Sequence, residues 1–205
     1  VRAGLADAIA RGAGEHLMLV AIAVTVAAAV AVPAGIGLSR RPGWRTPVLT
    51  LINVLQTVPS LALFGFLIPV PVIGGIGKST AVVALVAYAL LPIVRNTLTG
   101  ILGVDPAVRE SAVAMGLTPR QVLRLVELPL AARTILAGIR VAAVTTVGTA
   151  TIAAAVGAGG LGDLIFRGIA GVDTPLILAG AVPAALLALL FDGGLGWVEN
   201  RLARS

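Results

Sequence analysis

From Leu17 to Leu38 the sequence carries no charged side chain, and four further stretches repeat that pattern with at most two. These are Val48–Val70, Thr80–Leu102, Ala131–Val156 and Pro175–Trp197. Each approaches or exceeds the run of about 20 residues that a helix needs to cross roughly 30 Å of hydrocarbon. A buried helix in a large soluble enzyme would explain one such run, not five. Composition agrees: 58% of the 205 residues are hydrophobic and 12% are charged, roughly half the charged share usual in a soluble domain. The expected fold class is an all-α membrane protein with five transmembrane helices, forming one domain over residues 1–205 in a lipid bilayer. Pro33, Pro59, Pro92 and Pro183 interrupt the spans, which membrane helices tolerate where neighbours satisfy the released backbone groups.

Basic residues set the expected orientation. Arg40, Arg41, Arg45, Arg109, Arg120, Arg124, Arg133, Arg201 and Arg204 fall on one side of the spans. Arg2, Arg11, Lys78 and Arg167 fall on the other, so the first side is expected to be cytoplasmic. The N terminus is then outside and the C terminus inside, with Trp44 and Trp197 at the inner boundary. The net charge of +6 follows from this topology. Nucleic acid is not an expected partner, because no concentrated basic face appears. Val1-Arg2-Ala3 lacks the order of a signal peptide, so the spans are expected to direct insertion. There is no cysteine and one histidine, His16, which reads as an interfacial side chain and not as a metal ligand.

The connection at 103–130 is long beside the others, and its residues are those of ordered structure. Asp105-Pro106 offers an N-cap followed by proline at the first helical position. Gly116 can end that helix, and Thr118-Pro119-Arg120-Gln121 has the form of a capping box. Pro129 is expected to stop the second helix. Ala107, Ser111 and Ala114 would give the first helix a face of small side chains. In the second, Arg120, Arg124 and Glu127 form one stripe, and Val122, Leu125 and Val126 another. Such an amphipathic elbow suits docking into a groove of a cytoplasmic partner; lying flat among lipid headgroups is the other reading.

Polar groups inside the spans are costly and suggest a pathway. Asn53, Gln56 and Ser60 recur at helical spacing, with Pro59 releasing a carbonyl beside them. They either line a translocation path or hold helices together by hydrogen bonds. Arg95 and Arg140 lie at similar depth in the third and fourth spans, with Asp192 near the inner end of the fifth. Pairing with Asp192 or a loop acid is one account of these arginines; a cytoplasmic gate is the other. Thr145 and Thr149 are expected to bond to carbonyls of their own helix. Gly157-Ala158-Gly159-Gly160-Leu161-Gly162 lacks a Gly-Lys-Ser/Thr ending, which argues against nucleotide binding. An outer turn capping a short helix at Asp163 is expected there.

Glu110-Ser111-Ala112, three residues, Gly116, nine residues, then Val126-Glu127-Leu128-Pro129 resembles the loop signature of binding-protein-dependent ABC importer permeases. That signature reads E-A-A, three residues, glycine, nine residues, I-x-L-P; Ser111 and Val126 are mild departures. Asn53 to Leu63, Leu91 to Thr97 and Val156 to Asp163 resemble the osmoprotectant branch (glycine betaine, carnitine and choline permeases). The resemblance implies a type I importer permease core, similar to that of methionine importers, and ATPase coupling through Glu110, Ser111, Ala112, Gly116, Val126, Leu128 and Pro129. It implies as partners a cytoplasmic ABC ATPase, an extracytoplasmic substrate-binding protein, and a second copy or a homologous permease. ATP and Mg would be used by the ATPase; this chain would bind no cofactor and catalyse no reaction. Asn53, Gln56, Pro59, Ser60, Arg95 and Asn96 are the candidate path residues. An amino-acid importer of the same class, or a stand-alone channel, would be the rival readings.

Overall fold

The charge-free run beginning at Leu17 is the second part of a longer helix, α1 (Arg2–Arg40). A computed structural model describes residues 2–71 and 73–202. Val1 and Arg204, and the side chains of Arg2 and Ala3, lie outside the described residues. At 39 residues, α1 is about 58 Å long, nearly twice the hydrocarbon thickness. Its early turns are held by packing: Ala8, Ile9 and Ala13 lie against a buried cluster of Leu161, Leu164 and Ala184.

The second span departs from expectation. It consists of α2 (Pro42–Thr57) and α3 (Ser60–Leu67), bent by 97° at Val58-Pro59. Val58 is extended (φ −67°, ψ 126°), as the ring of a following proline favours. Ser60 therefore does not continue the face of Asn53 and Gln56. Pro33, Pro92 and Pro183 instead sit inside unbroken helices. Among the described residues, four helices are long and apolar enough to span a membrane, or five if the bent pair forms one span.

The remaining elements follow as α4 (Lys78–Leu102), α5 (Pro106–Ala114), α6 (Pro119–Val122), α7 (Leu128–Ile152), α8 (Leu161–Gly171) and α9 (Thr174–Leu202). A π-wound turn, Leu123–Glu127, joins α6 to α7. Pro129 thus does not stop a helix; it occupies the first turn of α7. Leu128 N–H donates to the Leu123 carbonyl, five residues back. The widened turn passes the ladder over a residue that has no N–H to give.

Small residues let α1, α4 and α7 approach closely, as bilayer packing favours. Ala27, Ala31, Ala89 and Ala142 are fully buried. A Cβ on Gly138 of α7 would lie 2.5 Å from the Asn96 Cβ of α4. His16 is corrected from an interfacial residue to a core one. It is fully buried, and its Nε2 is 3.0 Å from the Val147 carbonyl on α7. It packs against Gly160, where a Cβ would lie 3.3 Å from its Nδ1. At the same end Glu15 accepts from Lys78 Nζ and from the Gly160 N–H, each at 3.0 Å. The short helix expected there is α8, with Gly160 rather than Asp163 at the capping position.

Candidate functional site

Two regions carry the polar chemistry. The first is a cavity of about 460 Å³ between α2, α4 and α7, lined by Gln56, Tyr88, Arg95, Asn96, Thr145 and Thr149 together with Leu91, Pro92 and Val141. Prolines build its wall. Pro92 has no N–H for the Tyr88 carbonyl four residues back, and Gln56 Nε2 donates to that carbonyl at 2.7 Å. The Tyr88 hydroxyl in turn donates to the carbonyl of Val58, beside Pro59. One tyrosine thus holds both the last turn of α2, through Gln56, and the break itself, through Val58. Asn96 Nδ2 donates to the Pro92 carbonyl at 2.8 Å. Thr145 and Thr149 donate to carbonyls of α7 at 2.8 and 3.0 Å, as expected, and both residues line the cavity.

The two intramembrane arginines differ. Arg140 meets Asp192 through two bonds of 2.7 and 2.8 Å, with Glu199 at 3.5 Å. Arg95 is exposed, and Nη2 donates to Asn53 Oδ1 at 3.1 Å. Among the described residues no carboxylate pairs with it. Of the candidate path residues, Gln56, Arg95 and Asn96 line the cavity, Asn53 holds Arg95, and Pro59 and Ser60 lie at the bend.

The second region is the elbow of α5 and α6. Asp105 caps α5 by accepting from the Ala107 N–H at 2.8 Å, and Thr118 N–H donates to Gln121 Oε1 at 2.8 Å. Gly116 takes a left-handed conformation (φ 84°), letting the Leu117 N–H reach the Ala112 carbonyl at 3.2 Å. That geometry ends α5 and turns the chain. Ala107, Glu110, Ser111 and Ala114 are exposed, and Ala112 is buried. Val126 and Leu128 are half-buried, Pro129 exposed.

The stripes expected on the second elbow helix are corrected. Glu127 is fully buried and Leu125 is 65% exposed, because the π-wound turn breaks the 100° step that a helical stripe assumes. Glu127 pairs with Arg40 at the end of α1 and accepts from Arg109 Nε at 2.7 Å. Arg109 also donates to the Ile101 carbonyl of α4 at 3.0 Å. Sequence reasoning missed this clamp; its one signal was an acid set between the apolar Val126 and Leu128.

The model of the family of binding-protein-dependent transport system inner membrane components matches residues 18–204. The chain belongs to this family. The permease is a multi-pass protein of the inner membrane. It is similar to the carnitine transport permease protein OpuCD of Listeria monocytogenes, 48% identical over 192 residues that cover 92% of this chain and 83% of that one. The choline transport system permease protein OpuBB of Bacillus subtilis is 45% identical over 188 residues, covering 92% and 85% of the two chains. A solved inward-facing structure of the MetNI methionine ABC transporter matches the permease with TM-score 0.89 and 26% identity, covering 97% of this chain and 98% of that one.

Proposed function

We propose that the permease imports a small quaternary ammonium osmoprotectant, such as glycine betaine, choline or carnitine, by ATP-driven alternating access. The observation carrying this reading is 48% identity to a carnitine permease across 92% of the chain. Two permease subunits, copies or homologues, would face each other across the path. ATP and Mg would be handled by a separate cytoplasmic ATPase, and an extracytoplasmic binding protein would deliver the solute. The permease itself catalyses no reaction.

The elbow is assigned to the ATPase. Glu110, Ser111 and Ala112 lie on α5, Gly116 makes the turn, and Val126, Leu128 and Pro129 lead into α7. Met115 and Leu125, 74% and 65% exposed, offer apolar contacts to a groove. Because α6 runs into α7 without a stop, movement of the elbow would be transmitted along a continuous helix to the cavity-lining Thr145 and Thr149. Asn53, Gln56, Pro59, Ser60, Arg95 and Asn96 are assigned to the path and its bend. The N terminus is placed outside and the C terminus inside.

Proteoliposomes holding the permease, its ATPase and its binding protein test the reading. ATP-dependent uptake of labelled glycine betaine, carnitine or choline supports it. ATP-driven uptake of methionine alone would favour an amino-acid importer, which the likeness to MetNI also accommodates. Uptake that ignores ATP would indicate a channel. The chain has no cysteine, so a single cysteine introduced at Arg120 reports orientation. Labelling by an impermeant maleimide from the cytoplasmic side is expected; labelling from outside overturns the topology.

A further inference from the structure

Arg95 and Arg140 occupy spanning helices, yet only Arg140 meets carboxylates among the described residues. An exposed, unpaired guanidinium in lipid is expensive, so the face bearing Arg95 belongs against water or protein. The polar atoms around it are unevenly distributed. Gln56 Nε2, Asn96 Nδ2 and the Thr145 and Thr149 hydroxyls all donate to backbone carbonyls. What these four cavity-lining residues leave free is mostly acceptor oxygen, two amide oxygens and two hydroxyl oxygens, beside one remaining N–H on each amide. Most spare donors are on Arg95, of whose five N–H groups one is engaged, by Asn53, and these alone carry a full positive charge. The cavity therefore has one strongly donating, cationic end and a remainder rich in oxygen acceptors.

We infer that Arg95 receives the carboxylate of a zwitterionic solute in transit while the solute's ammonium end lies among the acceptor oxygens of Gln56, Asn96, Thr145 and Thr149. This rests on reading the α2–α4–α7 cavity as the translocation path. Planar carboxylate matches the guanidinium fork in a way that an alcohol cannot. The permease then favours carboxylate-bearing osmoprotectants, glycine betaine and carnitine, over choline, which presents a cation to a cationic site. Selection at this point is additional to that of the binding protein.

The test is maximal ATP-driven uptake in proteoliposomes at saturating binding protein, because the half-saturating concentration reports on that protein. Arg95→Gln is expected to lower the glycine betaine to choline uptake ratio at least about tenfold. Arg95→Lys, which keeps the charge and loses the fork, is expected to fall between. An unchanged ratio overturns the carboxylate assignment, whether total uptake is retained or lost in proportion. Wild type that carries choline alone also overturns it. Wild type that carries methionine and no osmoprotectant, with methionine uptake falling in Arg95→Gln, overturns the substrate reading and leaves the carboxylate site standing. Wild type that carries none of these solutes overturns both.

Discussion

Arg109 donates to Glu127 at 2.7 Å from within the elbow, and that carboxylate is fully buried. Arg40 reaches the other oxygen from the end of α1, so one side chain ties α1 and α5 to the turn that opens α7. A buried charge deprived of its partners is costly, by about 3–5 kcal/mol when both are enclosed. Here Arg40 and Arg109 keep side-chain exposures of 46% and 30%, so they can turn to water when the acid is gone. Glu127→Gln is expected to lower the thermal midpoint modestly while leaving insertion intact. It should cut ATP-driven uptake far more than ATPase activity, because the elbow would no longer move with α1. Uptake and ATPase rates measured on the same proteoliposomes check this; equal loss of both would assign Glu127 to folding alone.

Gly116 separates backbone conformation from space. Its φ is 84°, yet a Cβ there would meet nothing within 4 Å. A side chain fits, and the cost is conformational, about 1–2 kcal/mol for most residues and less for asparagine. Gly116→Asp adds a charge on the surface we assign to the ATPase and is expected to abolish ATP-driven uptake with membrane insertion preserved. Gly116→Asn keeps the turn without the charge and should retain most uptake. Undiminished transport in Gly116→Asp would remove the elbow from coupling.

The spans were legible because bilayer crossing depends on summed hydrophobicity, and that is written locally. The elbow was legible for the same reason: Asp105, Gly116, Thr118 and Gln121 act on neighbours within a few residues. The break at Pro59 was not, since Pro33, Pro92 and Pro183 look alike in sequence and stay within helices. Nor was the burial of His16, whose partner Val147 is 131 residues away. Glu127 was misplaced because a helical wheel assumes a constant step that the π-wound turn breaks. In the cavity, Gln56 and Arg95 were legible from polarity inside spans, and Asn96 from the segment that resembles the osmoprotectant branch. The part played by Tyr88 was not legible, because it depends on a carbonyl released by Pro92 and on the Val58 carbonyl left free where the chain is extended between α2 and α3.

Close approach of α4 and α7 behind the cavity depends on Gly138. A Cβ would lie 2.5 Å from the Asn96 Cβ and 2.8 Å from the Pro92 carbonyl oxygen. Neither neighbour can yield without moving α4, so Gly138→Ala is expected to destabilise by about 1–3 kcal/mol. The thermal midpoint of the purified permease in detergent measures this. An unchanged midpoint would show that the two helices separate at little cost.

Arg140 and Asp192 predict the opposite of Arg95 under mutation. Their two bonds join α7 to α9, and Glu199 adds a weaker contact at 3.5 Å. Arg140→Met leaves Asp192 and Glu199 facing each other across the place of the lost cation, and Asp192→Leu leaves Arg140 with Glu199 alone. Each single change is expected to lower the thermal midpoint. Removing both charges leaves neither member of the Arg140–Asp192 pair without its partner, and apolar replacements of paired charges are often tolerated. The Arg140→Met/Asp192→Leu double variant should therefore be more stable than the sum of the single effects implies. The coupling is expected to be about 1 kcal/mol or more, allowing for the part-exposure of both groups. The same variant should leave the glycine betaine to choline uptake ratio near that of wild type, since its charges are spent within the bundle and not on the solute. A changed ratio would place Arg140 in the path as well.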